Sequence, residues 1–225
     1  MPFITANGIS HQYELRGEGT KTIVFVHGIG SRLETWAETT PAFKGFRHLV
    51  YSVRGMGESS SEPGPVSLAT WAKDLDALME ALGIPRAIIA GHSMGGAITQ
   101  RFAIDFPHRV EGMILFSTSS RVGGALAAGW LKKAEEFEAA GNGPMAATNR
   151  AVAAYRMDEE LKKVTAPTLI LVGSADPQTP PGGSVIMSRL IANSELEIFP
   201  GIGHGIYKEE PKSVERAVRW LERFQ

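Results

Sequence analysis

One serine, one histidine and one aspartate of this chain stand in surroundings suited to nucleophilic catalysis. The segment Gly91-His92-Ser93-Met94-Gly95-Gly96 follows the apolar run Ala87–Ala90 and precedes a helix-forming stretch. A tight strand-to-helix turn of this kind lifts a serine hydroxyl above a sheet edge. Glycines two positions either side let the backbone approach closely, and the helix N-terminus behind the turn points N–H groups at the site. A Gly-rich turn with Ser93 as a plain helix N-cap would read the same, so the surroundings must separate the two.

A serine nucleophile needs a base, and the base needs an acid to orient it. His204 lies in Gly201-Ile202-Gly203-His204-Gly205, just after the strand-like run Glu195–Phe199. Asp176 lies in Gly173-Ser174-Ala175-Asp176-Pro177, directly after Leu169–Val172, where Pro177 stiffens the turn. Each could be an ordinary loop residue by itself; three such residues, each after a different strand, are hard to attribute to coincidence. His27-Gly28-Ile29-Gly30 follows a further strand, Thr22–Val26. The Ile29 and Met94 amides are the natural donors to a developing oxyanion. His27 reads as a residue that holds the turn at Gly28, and His92 is expected to point away from Ser93. His11, His48 and His108 sit in no motif and are expected at the surface.

The elements that must position these groups alternate. Phe3–Ala6 and His11–Leu15 flank Asn7-Gly8, a strong hairpin signal. Thr22–Val26, Leu49–Val53, Ala87–Ala90, Met113–Phe116, Thr168–Val172 and Glu195–Phe199 are short apolar or β-branched runs. Helical spacing appears around Leu33–Phe43, in Leu68–Leu82 with Gly83 as its stop, and in Ala97–Phe106, Ser184–Ala192 and Val214–Phe224. Strands alternating with helices imply βαβ units, hence an α/β fold with a mostly parallel sheet and helices on both faces. Residues 1–120 and 158–225 form that core.

The segment 121–157 breaks the rhythm. It has helical sequence and no convincing strand, and reads as a short helical cap of one to three helices. Within it Trp130, Ala134 and Phe137 form one stripe at helical spacing. The stripe can pack on the sheet domain, and Trp130 and Phe137 are also the candidates to line a substrate pocket.

Composition narrows the function classes. The chain has 225 residues, 23 Lys and Arg, 24 Asp and Glu, a formal charge of −1 and no Cys. A neutral balance offers no basic field for nucleic acid or an anionic membrane, and thiolate or disulfide chemistry is excluded. The apolar runs are strand-sized, so no membrane partner is expected. No signal peptide is visible, and a cytoplasmic location is the expectation. Neither Gly28-Ile29-Gly30 nor Gly55-Met56-Gly57 extends to a dinucleotide fingerprint, and no spacing suggests a metal. No cofactor or metal is expected.

From end to end the chain resembles the α/β-hydrolases. The resemblance rests on the HGxG loop at 27–30, the Arg54-Gly55-Met56-Gly57-Glu58-Ser59 turn, the Ser93 elbow, the Asp176 turn and the Gly203-His204 loop, all in family order. Within the family it is similar to carboxylesterases and 3-oxoadipate enol-lactonase-like members. Two departures stand out: Ser52-Val53 precedes the R-G-x-G turn where the family often has Asp, and the cap is short. The resemblance implies a serine hydrolase acting on a small-molecule ester or lactone, with Ser93, Asp176 and His204 catalytic and Ile29 and Met94 forming the oxyanion hole. The alternative is a small-molecule sensor that keeps the same three residues, hydrolyses slowly and signals to a protein partner. Turnover separates the two, and oligomeric state is left open.

Overall fold

The computed structural model describes residues 1–225. Its centre is one eight-stranded sheet in the order β1-β2-β4-β3-β5-β6-β7-β8. The strands are β1 (Phe3–Ala6), β2 (Ile9–Arg16), β3 (Thr22–Val26), β4 (Arg47–Tyr51), β5 (Ala87–His92), β6 (Val110–Phe116), β7 (Thr168–Gly173) and β8 (Ser194–Phe199). β1, β2 and β4 pair antiparallel, and all pairs from β4 through β3 to β8 are parallel.

The continuous apolar runs are the strands buried on both faces, as parallel sheets require. In β3, Val24 and Val26 pack into one core and Ile23 and Phe25 into another on the opposite face. The first core is closed by α1 (Leu68–Ala81) and α2 (Met94–Asp105). α1 starts at a capping box in which Ser67 and Thr70 satisfy each other's amides.

The chain leaves the sheet between β6 and β7. There α3 (Gly124–Ala139) and α4 (Gly143–Ala154) form a hairpin, closed at its base by a bridge between Arg121 and Arg156. Of the α3 stripe, Ala134 is fully buried while Trp130 and Phe137 are half-buried. Trp130 leans on the first core. The short α5 (Asp158–Leu161) leads to β7, and α6 (Pro181–Leu190) joins β7 to β8. After β8 come α7 (Ile206–Glu209) and α8 (Pro211–Leu221). The buried positions Ser213, Ala217, Trp220 and Leu221 of α8 follow helical spacing and cover the second core.

Two expectations need correction. Leu33–Phe43 is two short 3₁₀ turns, Leu33–Trp36 and Thr40–Ala42, rather than a helix. Pro41 has no N–H to continue a helical ladder from Leu33 and instead sits in the first turn of a new short 3₁₀ segment, while burial of Trp36 fixes the turn before it. His11 is wholly buried and His48 half-buried, whereas His108 is exposed as expected. His11 is buried because its ring packs edge-on against the buried Tyr51 of β4, centroids 6.1 Å apart.

Candidate active site

The strand order reverses at β3: the chain passes to β4 on one side, then returns to β5 on the other. Open α/β sheets bind ligands at such a switch, outside the carboxyl ends of the strands. The loop after β3 and the turn after β5 meet there. A Cβ built on Gly28 would lie 3.3 Å from the Ser93 Cβ.

Ser93 joins β5 to α2 with φ 55° and ψ −122°, a strained conformation for a side-chain-bearing residue. Long-range bonds hold it. Its N–H donates to the Phe116 carbonyl at 3.0 Å, and its own carbonyl accepts the Thr118 hydroxyl at 2.8 Å and the Gly96 amide at 2.9 Å. The flanking glycines are required by close approach. Any Cβ on Gly95 would collide with the Val26 carbonyl of β3, and one on Gly91 with the Gly95 carbonyl and the Thr99 hydroxyl.

His204 reaches Ser93 from the loop after β8. Its Nε2 lies 2.9 Å from Ser93 Oγ and its Nδ1 2.7 Å from Asp176 Oδ2. A carboxylate only accepts, so Nδ1 carries the hydrogen and Nε2 is free to accept from the serine. Asp176 is 3% exposed and its oxygens are fully engaged. Oδ1 accepts the Gln178 and Thr179 amides at 2.8 and 3.0 Å, and Oδ2 accepts the Thr179 hydroxyl at 2.6 Å as well as His204. Burial alone would push this carboxyl up. The hydrogen bonds from His204 and Thr179 outweigh it and hold the group down to about 2.

The structure thus brings Ser93, Asp176 and His204 into one hydrogen-bonded line. Ile29 and Met94 flank it. Met94 opens α2, where the first amides lack intrahelical acceptors, and the Ile29 amide donates to no backbone carbonyl. His27 does hold its loop: Nδ1 donates to the Gly28 carbonyl at 2.8 Å and Nε2 accepts the Val53 amide at 2.9 Å. Full burial lowers its pKa to about 4, so it stays neutral. Trp130 and Phe137 share no hydrogen bond or ring contact with the line; Lys133 Nζ sits 4.6 Å over the Trp130 ring. A cavity of about 560 Å³ lies between the 54–66 loop and α4, lined by Gly55, Val66, Pro144 and Thr148 among others, but by neither aromatic.

Some residues of the site escaped the sequence reading. Glu209, at the end of α7, accepts the Gly203 and Gly205 amides at 3.3 and 3.2 Å and so clamps the loop on both sides of His204. Thr118 supports the Ser93 carbonyl from the end of β6. The Asp176-Pro177-Gln178-Thr179 turn did carry a legible signal, because an Asp side chain commonly accepts amides two residues on. His92 shares no hydrogen bond with the Ser93 side chain, but its ring packs on that of His204, centroids 4.8 Å apart, a contact that was not expected.

Relatives agree with this architecture. A 3-oxoadipate enol-lactonase of Acinetobacter baylyi is 25% identical over 253 aligned residues, covering 96% of this chain and 94% of the relative. That alignment is longer than the chain, so the relative carries residues with no counterpart here. A hydrolase of Pseudomonas aeruginosa superposes with a TM-score of 0.88 at 28% identity, covering 98% of this chain and 97% of the other. A thermophilic esterase of Thermogutta terrifontis superposes with a TM-score of 0.89 at 25% identity, covering 99% and 98%. A family model described as TAP-like protein matches residues 137–221. The model of the alpha/beta hydrolase fold matches residues 21–138, more than half of the sequence, and the chain belongs to that family.

Proposed function

We propose that this α/β hydrolase is a serine hydrolase cleaving carboxylic esters or lactones of small molecules through an acyl-enzyme on Ser93. The observation that carries the reading is the placement of His204 between Ser93 Oγ and Asp176 Oδ2, at 2.9 and 2.7 Å. Both distances are within the reach that proton transfer needs.

In the first half-reaction Ser93 Oγ attacks the acyl carbon as its proton passes to His204 Nε2. The carbonyl π electrons move onto oxygen, and the Ile29 and Met94 amides receive that oxyanion. Each such donor is worth about 3 kcal/mol of transition-state stabilisation. The intermediate collapses, the acyl–oxygen bond breaks, and the leaving alcohol takes the proton from His204. In a lactone the alcohol remains tethered to the acyl group. Water then gives a proton to His204 and attacks the ester of Ser93, and the acid leaves as Ser93 regains its proton. Asp176, ionised throughout, keeps the His204 hydrogen on Nδ1 and stabilises the imidazolium. The enol-lactonase and esterase named among the relatives support an ester-class substrate.

A panel of p-nitrophenyl esters and simple lactones, assayed with the native protein and with Ser93→Ala, tests the reading. Turnover that disappears in Ser93→Ala supports it. Hydrolysis retained by Ser93→Ala, or very slow turnover coupled to a ligand-induced conformational change, would refute it, the latter in favour of a sensor.

A further inference from the structure

His92 has no part in the chemistry just described, yet it is the residue immediately before Ser93 and is packed against the base. Its Nε2 lies 2.9 Å from the backbone carbonyl oxygen of His204. A carbonyl only accepts, so His92 carries its hydrogen on Nε2 and donates. Two rings, those of His204 and Tyr207, pack against His92. Tyr207 meets the His92 ring edge-on at 4.9 Å and stacks on Trp36 at 4.3 Å, and its hydroxyl bonds to the Thr35 hydroxyl at 3.0 Å. On the other side a Cβ on Gly28 would come within 3.2 Å of His92 Nδ1. The ring has little freedom to swing away.

Burial, and then the neighbouring His204, lowers the His92 pKa to about 3. It is therefore a neutral donor when His204 becomes imidazolium, and adds no like charge beside it.

The loop bearing the base is otherwise fastened by Glu209, which holds the amides of Gly203 and Gly205, and by the Ala175 amide and Ser174 hydroxyl, which bond to the Ile202 carbonyl and the Gly201 amide respectively. Those bonds tie the loop to α7 and to the Asp176 turn, not to the nucleophile. The bond from His92 to the His204 carbonyl is different because its donor is covalently adjacent to Ser93. We propose that His92 is a positioning residue, which ties the backbone of the base to the turn of the nucleophile and so sets the distance between Ser93 Oγ and His204 Nε2. This inference rests on the serine-hydrolase reading for its kinetic consequence and on geometry alone for its structural one. Rates are sensitive to such placement, since displacement of a catalytic group by about 1 Å can cost about a hundredfold.

The test compares three proteins: native, His92→Leu, which keeps bulk but loses the donor, and His92→Gln, whose amide can reach the same carbonyl. For p-nitrophenyl acetate we expect His92→Leu to lose about tenfold or more in kcat with KM changed little, and His92→Gln to recover at least about a third of the native kcat. Proton NMR is read alongside. The low-field signal of the His204 Nδ1 hydrogen, identified by its loss in Asp176→Asn, should broaden or vanish in His92→Leu and persist in His92→Gln.

A folded His92→Leu with native kcat and a native low-field signal overturns the proposal. Equal losses in Leu and Gln variants that melt like the native protein overturn it too, because the donor would then be irrelevant. Should the leucine variant not fold, His92→Asn, whose amide is too short to reach, takes its place with the same expectations. If the native protein hydrolyses no ester at all, the serine-hydrolase reading fails. The NMR comparison then still decides whether His92 positions His204.

Discussion

Thr179 donates its hydroxyl to the same carboxylate oxygen of Asp176 that accepts the His204 Nδ1 hydrogen, at 2.6 and 2.7 Å respectively. Two donors on one oxygen share its charge, while the Gln178 and Thr179 amides hold the other. Thr179→Val removes one of four bonds and leaves Asp176 ionised. We expect a loss of less than about tenfold in kcat, set against a loss of about 10⁴ for Asp176→Asn, which favours the wrong histidine tautomer. Steady-state kinetics on one ester decide it. If Thr179→Val falls as far as Asp176→Asn, the hydroxyl and not the carboxylate orients His204.

Ser93 and His204 should behave as a unit. Ser93→Ala and His204→Ala are each expected to abolish nearly all acyl transfer, and the double variant to be little slower than either, because both remove one step. Losses that multiply would show that the two act separately.

Acid should weaken the fold through its histidines. Burial lowers the pKa of His11, His27, His48 and His92, with His27 near 4 and His92 near 3. The unfolded chain titrates these groups at about 6.5. Below that value the unfolded state binds more protons, so their stabilisation is complete above about pH 6.5 and is lost as pH falls toward the folded values. The slope is on the order of 1.4 kcal/mol per pH unit for each group fully in this window. Asp176, held at about 2, begins to lose its contribution only below about pH 5 and so adds little to the slope between pH 6.5 and 5. Urea unfolding at pH 7.5, 6 and 5 should show falling stability; a flat profile would contradict the burial of these rings.

Arg54 and Asp74 form a bidentate pair at 2.6 and 2.7 Å, both almost fully buried, with the Asn7 amide also donating to Asp74. It ties the turn after β4 to α1 and to the β1–β2 hairpin. Removing one partner strands a buried charge. Asp74→Ala is expected to cost about 3–5 kcal/mol, and the double replacement Arg54→Met with Asp74→Leu less than that. Urea denaturation of the two proteins checks the order; a single variant within 1 kcal/mol of native, by the same principle, would mean the pair is solvated.

The segment read as a cap is a single helical hairpin, α3 and α4, and α3 fully buries only Ala134. A wall this small leaves little apolar surface for a long acyl chain, and each methylene left in water forgoes about 0.8 kcal/mol. We expect kcat/KM on p-nitrophenyl esters to peak at short chains, roughly C2 to C6, with no jump in rate above the micelle concentration of the substrate. A steady rise to palmitate would contradict this.

What the sequence determined by itself was local. Runs such as Thr22–Val26 and Leu169–Val172 are buried on both faces wherever they stand in a parallel sheet, so their strands, and the helices between them, were legible from period and punctuation. The Ser93 turn was legible because Gly91 and Gly95 answer a steric demand a few residues away along the chain, completed by the neighbouring strand. The order of the sheet, with β3 between β4 and β5, has no such local signature. Only that order sets the His11 ring against Tyr51 of β4 and brings His92 to a carbonyl 112 residues later in the chain. It also lets tertiary burial of Trp36 hold 33–43 as 3₁₀ turns, against a helical pattern that Pro41 had already weakened. Periodicity reports which faces of an element are apolar. What covers those faces, and which polar group is left facing which, depends on contacts between distant segments, and these exist only once the sheet has closed.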